Sequence, residues 1–188
     1  MFGPFDKPKD ANPVITPSPA SRFRSAMSDT IARWEEHATF NPAAVVKDGR
    51  VFVLYRAEDA SGERMIGGHT SRIGLAESLD GLQFARRSVP VLYPDTDAQR
   101  PYEWPGGVED PRIVEAQDGS YVLTYTQWNG RIPRLAVATS RDLVHSSSPR
   151  RTTSGRDSTR RARRSWKGWC RSAAAGTCIT ARRTRGSA

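Results

Sequence analysis

Two adjacent acids precede a proline in the segment PGGVEDPRI, residues 105–113. The carboxyl groups of Glu109 and Asp110 can transfer protons, and Arg112 behind them can support a carboxylate or contact a substrate. Because Pro111 disfavours helical backbone in the residue before it, we expect Asp110 to be held in an extended conformation. Neighbouring acids also disfavour each other's ionisation, which suits a general acid. The segment therefore predicts an acid–base site at Asp110, with a charged turn and a local Asp110–Arg112 contact as the alternative.

A second proline turn lies 69 residues earlier, where Asn41–Pro42 corresponds to Asp110–Pro111. If the two turns occupy equivalent places in repeated units, Asn41 and Asp110 point into the same pocket. An asparagine side chain donates and accepts hydrogen bonds, which suits the hydroxyl groups of a sugar. The same residue type favours Asx turns, so a purely local role explains Asn41 equally well.

One arginine ends a strand pattern that is otherwise apolar. Arg56 closes the segment VFVLYRA, and we expect its guanidinium to reach the pocket or to pair with Glu58 or Asp59. Immediately before the two acids, Gly106 and Gly107 lack side chains and should let a ligand approach the backbone closely. These residues predict a binding surface around the acid.

Several aromatic residues offer flat faces of the kind that stack on sugar rings, although such residues more often form hydrophobic core. They are Trp34, Tyr102, Trp104 and Trp128. His69 lies in a glycine-rich loop, where we expect a solvated histidine rather than a ligand. Cys170 and Cys178 lack the paired spacing of a zinc site, so no metal is expected.

A pattern of turn, strand and second strand occurs twice in the chain. The segment KDGRVFVLYRAED (47–59) matches QDGSYVLTYTQWN (117–129) at an offset of 70. Likewise RIGLAESLDG (72–81) matches RLAVATSRDL (134–143) at an offset of 62. Their β-branched and aromatic residues favour strands, and such recurring units are typical of β-propeller blades, with two unrelated hairpins of a β-sandwich as the alternative. Residues 41–145 then hold about two blades, fewer than the three or more that stacked repeats usually need.

Residues 1–40 are interpreted as an N-terminal arm rich in proline and serine, with room for a short helix around Ile31 to His37. The first residues lack the basic start and apolar run of a signal peptide. No stretch of 18 apolar residues that could span a membrane is present. Residues 1–145 also contain no cysteine. These features favour a cytoplasmic protein.

The basic character of the chain is confined to residues 146–188. The net charge of the whole chain is +9, but residues 1–145 hold 17 Lys/Arg against 19 Asp/Glu, whereas residues 146–188 hold 12 Lys/Arg and one acid. The segment has no Val, Leu, Phe, Tyr or Met, so its composition predicts a disordered tail. Its arginines suit nucleic-acid binding, but they equally suit out-of-frame translation of a GC-rich gene. We favour a non-native tail and expect no nucleic-acid partner.

A series of segments occurs in order over about residues 12–145: FNPAAV, LYRAED, RIGLAESLDGLQF, PVLYP, GGVEDPRI, YVLTYT and RLAVATSRDL. Together they resemble the N-terminal part of the β-mannoside phosphorylases of glycoside hydrolase family 130. The resemblance implies an all-β, five-bladed β-propeller, of which this chain holds about the first two blades. It implies an enzyme that cleaves β-mannosides with inorganic phosphate, inverts the anomeric centre and forms mannose 1-phosphate.

The resemblance also assigns roles to residues of this chain. Asp110 carries over as the general acid that protonates the glycosidic oxygen, in part of the family through a hydroxyl of the bound mannose. Asn41 and Arg56 carry over as sugar-site residues, while Glu109 and Arg112 are expected to contact substrate or to support Asp110. Inorganic phosphate is a co-substrate, its principal ligands come from later blades, and no cofactor is implied. A β-mannoside hydrolase of the same fold and a non-catalytic glycan-binding propeller are the alternatives, and a homo-oligomer is compatible with either.

Overall fold

The computed structural model describes residues 6–62, 67–144 and 170–173. Within these ranges the chain is almost entirely β-structure. The elements are β1 (Phe23–Arg24), β2 (Ile31–Ala32), β3 (Ala38–Lys47), β4 (Arg50–Glu58), β5 (Ser71–Ser78), β6 (Ala85–Arg86), α1 (Arg100–Glu103), β7 (Gly107–Glu115), β8 (Tyr121–Trp128), β9 (Pro133–Ser140) and β10 (Cys170–Ala173). No helix among the described residues has the length and apolar character needed to cross a bilayer.

The strands form two antiparallel units of the same plan. The first runs β3-β4-β5-β6 and the second β7-β8-β9-β10. The units meet where β5 and β7 pair in parallel through a single residue pair, Ser71 with Gly107. The first pair of matching segments forms β4 and β8, and the second pair forms β5 and β9. These strands occupy equivalent places in the two units, so the predicted repeat is confirmed.

The main hydrophobic core lies between the two units. It takes Leu54, Ile73 and Leu75 from the first unit and Leu123 and Tyr125, among others, from the second. In β8 buried and half-buried residues alternate, as expected for a strand with one face on a core. The core therefore fixes how the two units sit against each other, and with them the ends of the strands that carry the polar residues.

Each unit begins with a strand that carries a β-bulge, and the two bulges are equivalent. The register shifts between Phe40 and Ala43 in β3 and between Glu109 and Arg112 in β7. Asn41 and Asp110, with φ of 47° and 51°, adopt left-handed backbone inside these bulges. The prediction that Pro111 holds Asp110 in an extended conformation is wrong, because the bulge requires a left-handed residue, which Asn and Asp tolerate better than most other types.

A buried glutamate–tyrosine pair is repeated as well. The Tyr55 hydroxyl donates a hydrogen bond to Glu35, and the Tyr125 hydroxyl donates one to Glu103 at 3.2 Å. Both glutamates are almost inaccessible, at 3% and 0% exposure. Since they precede β3 and β7 in the chain, the structural repeat includes residues upstream of residue 41.

The terminal parts of the chain differ from the sequence-based expectations. The helix expected around Ile31 to His37 is absent: Ile31–Ala32 is a strand paired with β1, and Trp34 is fully buried in the core on the outer face of β4. Burial of Trp34 and Glu35 decides the local conformation, since the amphipathic pattern of this segment is poor. Of the expected disordered tail, Cys170–Ala173 is instead a strand paired with β9, and the remainder lies outside the described residues.

Candidate active site

The two bulges bring Asn41 and Asp110 into direct contact. The side-chain nitrogen of Asn41 donates a hydrogen bond of 2.8 Å to Oδ1 of Asp110 across 69 residues of sequence. Asp110 keeps a side-chain exposure of 39%, so its carboxyl group is accessible from outside. The sequence-based expectation that these two residues come together is thereby met, while the shared pocket and their roles stay predictions.

Arg56 lies at the centre of a polar cluster. The other members of the cluster are Asn41, Glu58, Ser71, Glu109 and Asp110. Its Nε donates to the Ser71 hydroxyl at 3.0 Å, and its Nη1 donates to Oδ1 of Asp110 at 3.2 Å. Its Nη2 donates to Glu58 at 2.6 Å and to Glu109 at 2.8 Å. The expected pairing with Glu58 is therefore found together with contact to the site. One guanidinium joins residues from β4, β5 and β7.

The two donors contact only one oxygen of the Asp110 carboxyl group. Both Asn41 and Arg56 bind the same oxygen of Asp110, Oδ1. The proton of the acid form consequently belongs on Oδ2. The bonds to described residues use four of the five N–H groups of Arg56, so one N–H on Nη1, beside the exposed carboxyl, can serve a ligand.

The cluster carries more negative than positive charge. Glu58, Glu109 and Asp110 surround the single guanidinium of Arg56. Burial raises the pKa of the Glu109 carboxyl; the Arg56 charge opposes that rise, and the charges of Asp110 and Glu58 add to it. Protonation of this group therefore persists to higher pH than in an exposed glutamate.

Arg112 lies apart from the cluster. Its side chain is exposed, and its Nη1 donates to the backbone oxygen of Pro111 at 2.7 Å rather than to Asp110. The expected support of Asp110 by Arg112 is absent, because the bulge breaks the alternation that would have placed residues 110 and 112 on one face.

Gly106 and Gly107 serve packing between the two units. A Cβ on Gly106 would stand 2.0 Å from Cδ1 of Trp128, and one on Gly107 would stand 2.1 Å from the backbone oxygen of Ser71. Gly107 also has a φ of 106°, which side chains rarely allow. Trp128 and the Ser71 backbone therefore occupy the space in which we expected a ligand to approach the two glycines.

Three of the four aromatic residues named as possible sugar-stacking surfaces are buried in the core or contact other residues of the protein. Trp34 is core, Trp128 donates to the backbone oxygen of Gly67 at 2.8 Å, and the Tyr102 ring lies 5.1 Å from the guanidinium of Arg134. Trp104 is half-buried.

The prediction of a solvated His69 is wrong. The residue is 7% exposed, its Nδ1 is hydrogen-bonded to the Ser61 backbone oxygen, and its ring lies 4.0 Å from that of His37. In the described part of the chain no group of three or more His, Cys, Asp or Glu residues is arranged to hold a metal ion.

Sequence reasoning did not identify Ser71 and Phe40 as members of the site. The Ser71 hydroxyl lies between Arg56, Glu58 and Glu109, and the Phe40 ring lies 4.7 Å from the guanidinium of Arg56. No local pattern marks either residue. Strand register brings Ser71 into the cluster, and the position of Phe40 directly before Asn41 is the one available signal.

Two successive blades with a polar cluster at their shared end define a partial β-propeller. The family described as β-1,4-mannooligosaccharide phosphorylase matches residues 6–155, and the chain belongs to this family, glycoside hydrolase family 130. Its structural neighbours are five-bladed propellers, and the chain holds part of one. The predictions of fold and family are confirmed.

Several relatives with solved structures share more than half of their matched residues with this chain. A structure from work on family hydrolases that target β-1,2-mannosidic linkages in Candida mannan is 55% identical, with a TM-score of 0.73, over 76% of this chain and 40% of that protein. A glycosyl hydrolase from Bacteroides ovatus is 54% identical with the same TM-score and the same coverage.

Curated relatives are phosphorylases. The 1,2-β-oligomannan phosphorylase of Thermoanaerobacter sp. (strain X514) is 38% identical over 59% of this chain and 36% of its own length. The β-1,2-mannobiose phosphorylase of the same organism is 35% identical over 52% of this chain and 32% of its own length. The chain thus spans about a third of the length of these relatives.

Proposed function

We propose that the protein is a β-mannoside phosphorylase that cleaves the glycosidic bond with inorganic phosphate and inverts the anomeric centre. The observation that carries the proposal is the Asp110 carboxyl, bound at Oδ1 by Asn41 and Arg56 and accessible from outside. The family and the named activities of the Thermoanaerobacter relatives support a β-mannooligosaccharide as substrate, with a β-1,2 linkage as the first choice.

In this proposal Asp110 is the general acid. Its Oδ2 gives a proton to the glycosidic oxygen, directly or through a mannose hydroxyl, while a phosphate oxygen attacks the anomeric carbon from the opposite face. The bond between the anomeric carbon and the glycosidic oxygen breaks, and mannose 1-phosphate and a shortened mannoside leave. The hydrogen bonds from Asn41 and Arg56 stabilise the carboxylate that forms.

The other residues of the cluster bind and orient. The remaining N–H of Arg56 and the amide of Asn41 are donors for mannose hydroxyl groups. Glu109 accepts a hydrogen bond of 2.8 Å from Arg56. We propose that Glu109 also contacts the sugar. Arg112, exposed and turned to Pro111, has no contact that supports a role in binding.

Phosphate must be held away from this cluster. With Asp110 protonated, the two carboxylates of Glu58 and Glu109 still face the guanidinium of Arg56 and disfavour an incoming dianion, so the cationic ligands of phosphate belong to another part of the ring. That separation agrees with attack from the face opposite Asp110. Phosphate is itself a nucleophile, and therefore the reaction needs no second carboxylate to activate water.

A β-mannoside hydrolase is the second candidate. It is favoured by the 55% identity to a structure from work on hydrolases of this family. Inverting hydrolysis requires a base about 6.5–9.5 Å from the acid. Glu58 and Glu109 are both tied to Arg56 beside the acid, so that base would also have to come from elsewhere in the ring.

The deciding experiment uses a propeller in which the blades of this chain are completed by the later ones that hold phosphate. It incubates that protein with β-1,2-mannobiose, with and without inorganic phosphate, and follows mannose 1-phosphate by ³¹P NMR. We expect product only with phosphate, and a loss of about 10²- to 10⁴-fold in Asp110→Asn. Asp29→Asn is the matched control, because Asp29 also has left-handed backbone (φ 52°) and is paired with Arg24 at the surface.

Each other outcome selects an alternative. Free mannose released without phosphate would identify a hydrolase. Full glycan binding with no turnover in either protein would leave a non-catalytic propeller. The proposed setting is the cytoplasm, without cofactor and without a nucleic-acid partner, and self-association into a homo-oligomer fits the proposal.

A further inference from the structure

The proposed reaction leaves one buried acid of the cluster without a role. Glu58 is 7% exposed and lies on β4 two residues after Arg56. A buried carboxylate is strongly unfavourable unless it is paired. Its contact of 2.6 Å with Nη2 is the shortest of the bonds that Arg56 makes to the cluster. The pairing therefore has to be explained together with the orientation of Arg56.

Glu58 and Ser71 determine which edge of the guanidinium faces which acid. Glu58 accepts from Nη2, Ser71 accepts from Nε, and the Ser71 hydroxyl lies 3.3 Å from Glu58. With these two edges occupied, Nη1 is the nitrogen left for Asp110. Without Glu58 the guanidinium would be free to turn and pair through two nitrogens with Glu109, a geometry that arginine and carboxylate favour.

We propose that Glu58 is a positioning residue that, with Ser71, fixes the plane of the Arg56 guanidinium so that Nη1 faces Asp110. The inference rests on the proposed function because it takes Asp110 as the acid. Glu58 itself touches neither the acid nor the exposed side of the cluster; it acts through Arg56.

The first test measures how firmly Glu58 and Ser71 hold the Arg56 guanidinium, and it requires no catalytic activity. In the full chain, the Nε–H proton of Arg56, assigned with Arg56→Lys, is expected to exchange slowly with solvent because it is bonded inside the cluster. Glu58→Gln, which keeps the size and removes the charge, should speed this exchange by at least about tenfold. Glu77→Gln is the matched control: Glu77 lies on the adjacent strand β5, 44% exposed, 3.8 Å from Arg50. Unchanged exchange in Glu58→Gln would overturn the proposal.

The second test asks whether Glu58 acts through Arg56. Glu58→Gln should lower kcat/KM by about tenfold to a hundredfold, the cost of a misplaced active-site group. In Arg56→Lys the same substitution should add almost nothing, because the group that it positions is already gone. Additive losses would show a merely structural role and would contradict the proposal.

The two tests keep this inference separate from the proposed function. If the protein cleaves no mannoside, the proposed function fails, while the exchange measurement still decides whether Glu58 holds Arg56. Should Glu58→Gln not fold, Glu58→Asp keeps the charge but shortens its reach, and the same criteria apply to it.

Discussion

At the scale of single residues, the site depends on two left-handed backbone positions. Asn41 and Asp110 have φ of 47° and 51° and lie in equivalent bulges. Such backbone costs about 1–3 kcal/mol for most side chains and least for Asn and Asp. This explains why the two positions carry these two residue types, and it makes the exchange of one for the other a clean chemical test.

Asn41→Asp should shift the pH range of activity upward. The new carboxyl keeps the left-handed backbone but lies at hydrogen-bonding distance from Asp110, where a second negative charge favours the protonated form of the acid. The alkaline limb of the kcat/KM profile, set by loss of the acid's proton, should move to higher pH.

Asn129→Asp is the control for this experiment. Asn129 is a half-buried loop residue whose side-chain oxygen accepts from the backbone of Arg131 and Ile132, bonds that an aspartate preserves. Its side-chain nitrogen donates to the Pro101 backbone oxygen at 3.1 Å, so Asn129→Asp removes one amide donor just as Asn41→Asp does, but away from Asp110. A profile that stays in place in Asn41→Asp, or one that moves equally in the control, would remove Asp110 from the role of proton donor.

At the scale of elements, each blade is fastened by a buried glutamate that precedes its first strand. Burial raises the pKa of Glu35, and the hydrogen bond from Tyr55 counteracts that rise. Burial and this same bond raise the pKa of Tyr55 far above its ordinary value, so the phenol stays a donor at all relevant pH. Tyr125 and Glu103 repeat the pair in the second blade.

Tyr55→Phe should destabilise the protein in a pH-dependent way. A group with a raised pKa contributes stability that is fully present below its ordinary value, here 4.5, and is lost as pH rises through the folded value. Removing the donor raises that pKa further, so the loss should reach about 1–3 kcal/mol at pH 7 and shrink toward pH 4.

Chemical denaturation at several pH values measures this effect. Tyr102→Phe is the comparison, since the contact described for Tyr102 is made by its ring with Arg134. A difference between Tyr55→Phe and wild type that is equal at pH 4 and pH 7 would refute the stated coupling to Glu35.

At the scale of the whole molecule, charge is unevenly distributed along the chain. Residues 146–188 carry 12 Lys/Arg against one acid, whereas residues 1–145 are slightly acidic. Exposed apolar residues lie on both described blades: Leu79 is 74% exposed on the first and Leu135 is 68% exposed on the second.

Any affinity for polyanions should therefore belong to residues 146–188 alone. We expect the full chain to be retained on immobilised DNA by non-specific charge attraction alone, with strong salt dependence and without sequence preference, and a chain ending at residue 145 to pass through. Such retention is adsorption of a basic segment and does not make DNA a partner of the protein. Circular dichroism checks that the shorter chain keeps its β-structure, since it lacks β10. Retention of the shorter chain would place a nucleic-acid site on the blades and contradict the assignment.

The repeated strands and the pairing of Asn41 with Asp110 could be predicted from local patterns: alternating β-formers between Asp-Gly turns, and two x-Pro steps 69 residues apart. Arg56 was identified for the same reason, as a charge at the end of an apolar strand. Patterns of this kind lie within one strand or turn, so they can be recognised without knowing which strands pair with it. The family was predicted from the resemblance of whole segments in order.

The contacts that hold the site together could not be predicted without the fold. Ser71 enters because β5 pairs with Gly107 of β7, Glu58 is tied to Glu109 through Arg56, and Arg112 is excluded because the bulge turns it away. Trp128 and Ser71 occupy the space beside Gly106 and Gly107, where a ligand was expected. Register, bulges and packing between blades join residues far apart in sequence, and no local pattern encodes those joins.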